Sequence, residues 1–276
     1  MKPIVKQSLN VLFYVVIFFL LQIVTMQLAT WGYYIQQGSG VSEAFAQLTR
    51  HGPLLKGPVV LAATVLSSVL TIVLFLRLRW TPVGRDYLRS RPWTALVWTG
   101  VATLGTIIPS IWLNEQLSLD MPEHVERLLV DIMRQPLGYI FIGILAPVAE
   151  EVVFRGAVLR SLLTVMEGRW RWGAIAVSAV IFGAVHGNES QFLHAVLTGV
   201  LLGWMYERTR SIVPGLVCHW VNNSLAFLAT NLAPGIDDMK LVDLAGGSQL
   251  RVVLWLFFSL CIFVPALYQM NRRLKR

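Results

Sequence analysis

Apolar and polar positions alternate along this chain in long blocks rather than at short periods. Eight apolar runs, separated by short polar stretches, fall near 9–32, 57–76, 93–113, 137–160, 173–187, 191–207, 212–232 and 251–270. A membrane-spanning helix needs about 20 apolar residues, so the pattern predicts an all-α polytopic membrane protein of about eight transmembrane helices. No internal repeat, low-complexity tract or soluble block interrupts the series, and the whole of 1–276 reads as one transmembrane domain. The fourth to seventh runs are broken by polar residues. Such breaks are tolerated where protein or a wet cavity covers the backbone, not where lipid does. The segment 122–133 places Val125, Leu128, Leu129, Ile132 and Met133 at helical spacing among charges. It reads as a short helix, lying either on the membrane surface or as a solvated loop.

Composition agrees. Of the 276 residues 55% are hydrophobic and 14% charged, against about 25% charged in ordinary soluble domains, and the mean hydropathy is +0.62. The first run is too long for the apolar core of a cleavable signal peptide. Cys218 and Cys261 both sit in apolar runs and build neither a disulfide framework nor a CxxC metal site.

The net charge of +8 raises nucleic acid as a partner, but its distribution is that of membrane topology. One set of run ends carries Lys2 and Lys6; Arg77, Arg79, Arg85, Arg89 and Arg91; Arg160, Arg169 and Arg171; Arg208 and Arg210; Arg272, Arg273, Lys275 and Arg276. These are sixteen of the 23 basic residues. The opposite loops collect acids: Glu115, Asp120, Glu123, Glu126 and Asp131, then Asp237, Asp238 and Asp243. The positive-inside rule then places both termini in the cytoplasm. A multi-pass protein of the plasma (inner) membrane is expected, with the lipid bilayer and no nucleic acid as its partner.

Three constellations carry chemistry. Glu150 and Glu151 stand side by side in the fourth run, where a charged side chain costs at least ~2.5–3.5 kcal/mol and usually marks function. Glu151 and Arg155 are four apart in the favoured acid-before-base order, whereas Glu150 points about 100° away. One carboxylate is therefore tied to a guanidinium, and the other is free to serve as a general base. An ion pair that merely joins two helices would leave Glu150 unexplained. Phe182 and His186 share a helical face at the end of the fifth run, and His219 and Asn223 share one in the seventh. Asn222 faces elsewhere and is the lesser partner, and His194 and Trp204 receive no role. Together the groups suit water activation and oxyanion stabilisation in acyl hydrolysis. Histidine nitrogen and glutamate oxygen also suit zinc. Neither HExxH nor GxSxG appears in the sequence, which disfavours zincin and serine-type mechanisms.

Glu150-Glu151-xxx-Arg155, Phe182-xxx-His186 and His219-xxx-Asn223 together resemble the three-motif signature of the CPBP family. That family comprises the type II CAAX prenyl endopeptidases and the bacteriocin-processing or immunity-associated membrane proteases. The resemblance covers residues 137–232, which become the expected catalytic core helices. It implies an eight-helix intramembrane endopeptidase with a conical cavity open to the cytoplasm and a membrane-associated protein or peptide as substrate. Glu150 and His186 would activate water, Glu151 and Arg155 would orient the base, and His219 and Asn223 would stabilise the oxyanion. The family also carries a metalloprotease label, so zinc on Glu150, His186 and His219 stays open. Asn223, a poor zinc ligand and a good oxyanion donor, favours the metal-free, glutamate-type alternative. Two other classes compete: a non-catalytic membrane binding or immunity protein, and a proton-coupled transporter, which the lack of an inverted repeat disfavours. With the assigned run ends, Glu150 and His186 would differ in depth by ~10 Å, so a later start of the fourth helix or a deeper start of the fifth is expected.

Overall fold

The computed structural model of the chain describes residues 3–233, 235–236 and 239–274. Lys2, Asp237, Asp238, Lys275 and Arg276, which entered the charge pattern, lie outside the described residues. Among those described every regular element is helical. In chain order they are α1 (Pro3–Gln36), α2 (Val41–His51), α3 (Gly57–Arg77), α4 (Asp86–Arg89), α5 (Trp93–Gln116) and α6 (Glu123–Met133). A composite helix α7 covers 140–162, and a 3-10 turn, Gly168–Trp170, leads into α8 (Arg171–Ala184). There follow α9 (Glu189–Thr209), α10 (Val213–Leu232), α11 (Leu241–Leu244) and α12 (Gln249–Arg273).

Four of these helices are long and apolar enough to cross a membrane: Ile4–Gln36, Gly57–Arg77, Trp93–Gln116 and Gln249–Arg273. Only 17% to 33% of their most apolar windows is buried inside the protein. The remaining apolar surface would cost about 25 cal/mol per Å² in water, and a lipid sleeve removes that cost. The molecule is an all-α membrane protein. Helix α8 has 14 residues, ~21 Å of rise, short of the ~30 Å hydrocarbon core. Polar side chains interrupt α7, α9 and α10, and the three motifs lie on α7, at the end of α8 and on α10.

Small residues set the closest helix approaches, as lipid-facing bundles require. In α5, a Cβ on Gly105 would lie 2.8 Å from the Phe263 backbone nitrogen of α12, so only glycine lets these two helices run together. Between α8 and α9, Gly199 faces Ala179 and Gly203 faces Ile175, with added Cβ atoms at 3.0 and 2.9 Å from them. Helix α6 forms as the spacing of its apolar residues requires. It is docked rather than loose: Asp131 accepts the Gly57 N–H at 2.8 Å, satisfying an orphan donor at the start of α3.

A ladder of rings leads from α1 into the interior. Phe18 meets Phe154 edge-on with centroids 5.4 Å apart, and Phe154 meets Phe182 at 5.1 Å. Around them Val153, Leu159, Ile175, Leu202 and Met205 are fully buried. This core lies between α7, α8, α9 and α10 and supports the polar site beside it.

Candidate active site

Helix α7 is not uniform. Ile140–Leu145 and Val152–Leu159 have π-helical pairing, and Ala146–Glu151 between them is α-helical. Single π-helical turns inside α-helices occur mostly at functional sites. Here the sequence supplies a local cause. In an α-helix the Ile142 carbonyl would accept from the Ala146 N–H, but that N–H reaches back to Phe141 instead. The next residue, Pro147, has no N–H to offer. The Nδ2 of Asn223, from α10, donates to the Ile142 carbonyl at 2.8 Å. Two hydroxyls serve the second π segment in the same way. Thr81 donates to the Val152 carbonyl at 2.6 Å and Ser178 to the Phe154 carbonyl at 3.2 Å. Helical structure begins at Gly138, one residue later than its apolar run, and α8 begins two residues earlier than its own, at Arg171.

At the centre, Glu151 and Arg155 are fully buried, with Oε1 and Nη1 2.9 Å apart. The contact is an ion pair whose N–H···O alignment is poor, since neither atom makes a well-formed hydrogen bond. The Arg155 guanidinium carbon also lies over the Phe182 ring, 4.2 Å from its centroid, a cation–π contact. Glu150, on the neighbouring face, keeps 23% of its side chain exposed and is therefore the carboxylate that water can reach. His219 sits between the two acids. Its Nε2 is 3.5 Å from Glu150 Oε2, and its Nδ1 is 3.6 Å from Glu151 Oε1. Contacts of that length are too long for direct hydrogen bonds. Glu150 Oε2, both Glu151 oxygens, Arg155 Nη1 and His219 Nδ1 are thus buried without a well-formed bond to protein. Each such atom costs about 1–3 kcal/mol, and a cluster of them marks a place built for something other than stability.

His186 follows α8 in the turn closed by Gly187, so it hangs off the helix end rather than projecting from it. Its Nδ1 donates to the Phe182 carbonyl at 2.9 Å. In the neutral ring that bond leaves Nε2 as the proton acceptor. Phe182 is flanked edge-on by both histidines, His186 at 5.2 Å and His219 at 6.1 Å between centroids. The structure thus pairs Glu150 with His219, and His186 approaches through Phe182.

Several residues escaped the sequence reading. Gly215, one turn before His219, faces Glu151 so closely that a Cβ would overlap Oε2. Gly156 likewise makes room for Thr81. Asn222 is no bystander: its Nδ2 donates to Asn223 Oδ1 at 3.2 Å. Adjacent amides on one helix can bond to each other even though their side chains leave it about 100° apart. An apolar groove of about 330 Å³ runs between α7 and α10, lined by Gly143, Pro147, Val148, Leu216 and Trp220 among others.

The Gly215 contact yields a direct expectation. Gly215→Ala should displace the Glu151 carboxylate from Arg155 and lower thermal stability by roughly 1–3 kcal/mol, the cost of overpacking a filled interior. Thermal melts of the detergent-solubilised variant would show it, and an unchanged melting temperature would mean that Glu151 does not occupy that space.

A zinc site needs about three protein ligands and an open position. Among the described residues no group of three His, Cys, Asp or Glu side chains gathers at such a geometry. Glu151 is committed to Arg155, and Asn223 to a carbonyl. The donor set does not fit a three-ligand metal centre.

An all-helical membrane protein with paired carboxylates and histidines in its polar-interrupted helices is the class these observations define. Comparison with known proteins identifies it further. Residues 133–225 match the family model described as "Type II CAAX prenyl endopeptidase Rce1-like". The chain is 24% identical over 151 residues to the "Membrane-embedded CAAX protease MroQ" of Staphylococcus aureus (strain USA300), covering 52% of this chain and 59% of that protein. It is 28% identical over 106 residues to YdiL of Bacillus subtilis (strain 168), a protein named as a membrane peptidase, covering 38% and 42%. The chain therefore spans about half the length of the curated relatives it matches. No solved structure matches. These matches make the segment 133–225 similar to the Rce1-like family of type II CAAX prenyl endopeptidases.

Proposed function

We propose that this protein is an intramembrane endopeptidase of glutamate type, cleaving a membrane-associated protein or peptide. The observation that carries the reading is the division between two adjacent carboxylates: Glu151 is fully buried against Arg155, while Glu150 is reachable by water and faces His219. Glu150, with the acceptor Nε2 of His186, takes a proton from the attacking water. The water oxygen bonds to the scissile carbonyl carbon, and the carbonyl electrons move onto its oxygen. His219 and the remaining N–H of Asn223 hold that oxyanion. As the C–N bond breaks, the proton from Glu150 passes to the departing amine. Glu151, Arg155 and Phe182 hold the geometry of the pair and touch no reacting atom. An apolar stretch of substrate fits the groove beside Trp220, whose walls offer only side chains of that kind.

The same reading places eight helices across the plasma membrane, counting the shorter α8 and the polar-interrupted α7, α9 and α10. It makes the whole chain one transmembrane domain with 137–232 as its catalytic core and both chain ends in the cytoplasm. The substrate's identity, prenylated or not, is left to experiment.

The test is cleavage of a membrane-peptide library by purified protein before and after exhaustive chelation. Chelated protein should remain active, and His219→Ala should lose ~10²–10³ in turnover, the size of one oxyanion donor. One equivalent of zinc per chain, with activity lost on chelation and restored by zinc alone, would overturn the metal-free mechanism.

A further inference from the structure

We infer that Asn188 is a positioning residue for His186. This deepens the proposed hydrolysis and rests on His186 as a proton acceptor there. His186 lies past the end of α8, so no helical bond holds its carbonyl, and the next residue is Gly187 at φ +72°. Glycine has the widest backbone freedom of any residue, which makes position 187 a pivot. Packing does not brace it from behind. The turn borders a cavity of about 220 Å³, lined by Gly183, Gly187, Asn188 and Phe192 among others. Hydrogen bonds therefore fix the histidine. Two run to its own helix: the His186 N–H to the Gly183 carbonyl at 3.1 Å, and Nδ1 to the Phe182 carbonyl at 2.9 Å. The third crosses the pivot. Asn188 Nδ2 donates to the His186 carbonyl at 3.2 Å, so the histidine is held on both sides of its Cα.

The direction of that amide is set by α9. Asn188 is the N-cap of the helix, and its Oδ1 accepts the Gln191 N–H at 2.9 Å. A backbone N–H can only donate, so it takes the amide oxygen and leaves the nitrogen facing the His186 carbonyl. The remaining amide N–H goes to Gln191 Oε1. Every polar atom of Asn188 is thus engaged, and the turn that carries His186 is tied to the first turn of α9. Capping alone needs only an oxygen, which serine or aspartate supplies as well. The bond from the amide nitrogen is what capping leaves unexplained.

Asn188→Ser separates the two roles. Serine caps a helix about as well as asparagine, but its hydroxyl lies one bond short of the amide nitrogen and leaves the His186 carbonyl unserved. Asn188→Ala drops both. In full-length, ¹⁵N-histidine-labelled protein in detergent, wild-type His186 should show Nδ1 protonated and Nε2 bare, its signals assigned by their loss in His186→Gln. In Asn188→Ser the two ring signals should move toward each other as the tautomers mix, while the melting temperature stays that of wild type. Asn188→Ala should show the same ring shifts and melt lower. His186 signals that stay in place in Asn188→Ser overturn the inference whether or not the protein cleaves anything. In the cleavage assay, Asn188→Ser and Asn188→Ala should each lower kcat between about tenfold and 10²-fold with KM unchanged, the scale of a small misplacement. A serine variant with full rate beside a slowed alanine variant would make Asn188 a helix cap and nothing more. Wild-type protein that cleaves nothing while the ring signals move would sink the hydrolase reading and leave the link from Asn188 to His186 standing.

Discussion

Glu150→Gln is expected to remove turnover, by ~10²–10⁴-fold, in a protein that still inserts and melts like wild type. The substitution is nearly isosteric, and Glu150 supports no ion pair that the fold depends on. Its oxygen contact is with His219 at 3.5 Å, too long to be a structural hydrogen bond. What is lost is the ability to accept a proton from water. The comparison needs matched amounts of wild type and variant, the same peptide substrate and a melting curve for each. Equal cleavage would remove Glu150 from the mechanism. Binding of the peptide by both proteins with cleavage by neither would favour the membrane binding or immunity reading.

Arg155→Ala is expected to damage stability and activity together. Arg155 and Glu151 are enclosed at 1% and 0% side-chain exposure. Removing the guanidinium strands a buried carboxylate, which costs about 3–5 kcal/mol when one partner of such a pair is deleted. A fall in Tm on the order of 10 °C follows. The cation–π contact with Phe182 is lost as well, and with it a support of the ring that both histidines flank. Combining Glu151→Gln with Arg155→Met should return part of the stability, since no unpaired charge remains, but not the rate. A double variant no more stable than Arg155→Ala would mean that the ion pair contributes nothing to the fold.

The helices were largely legible in the chain because apolar run length is a strong one-dimensional signal. Each of the eight runs falls mostly within a helix, and the i,i+4 spacing that links Glu151 to Arg155 needs no tertiary information. Run length alone does not rank the short α8 or the polar-interrupted α7, α9 and α10, and four helices are both long and apolar enough to cross a membrane. Nor could periodicity place His186 beyond a helix end, since the stop depends on Gly187 at φ +72°. The hidden part of the site is the part made by contacts between helices. Gly215 is informative only once Glu151 is known to fill the space in front of it. The bond from Asn223 to the Ile142 carbonyl joins α10 to α7, and no local rule predicts which side chains meet there. Pro147 was visible, but its effect on Ile142 appears only when the neighbouring N–H is seen to go elsewhere.

The wide turn at Ile140–Leu145 has a geometric consequence. An α-helix turns about 100° per residue, so losing one residue from Ala146–Glu151 would swing everything beyond it away from His219. A wide turn already holds one residue more than the regular coil requires. Losing a residue there returns the coil to ordinary pitch and leaves Glu150 facing as it did. Length is therefore negotiable on one side of Pro147 and fixed on the other. What such a shortening forfeits is the vacant carbonyl, and with it the hook on which Asn223 hangs.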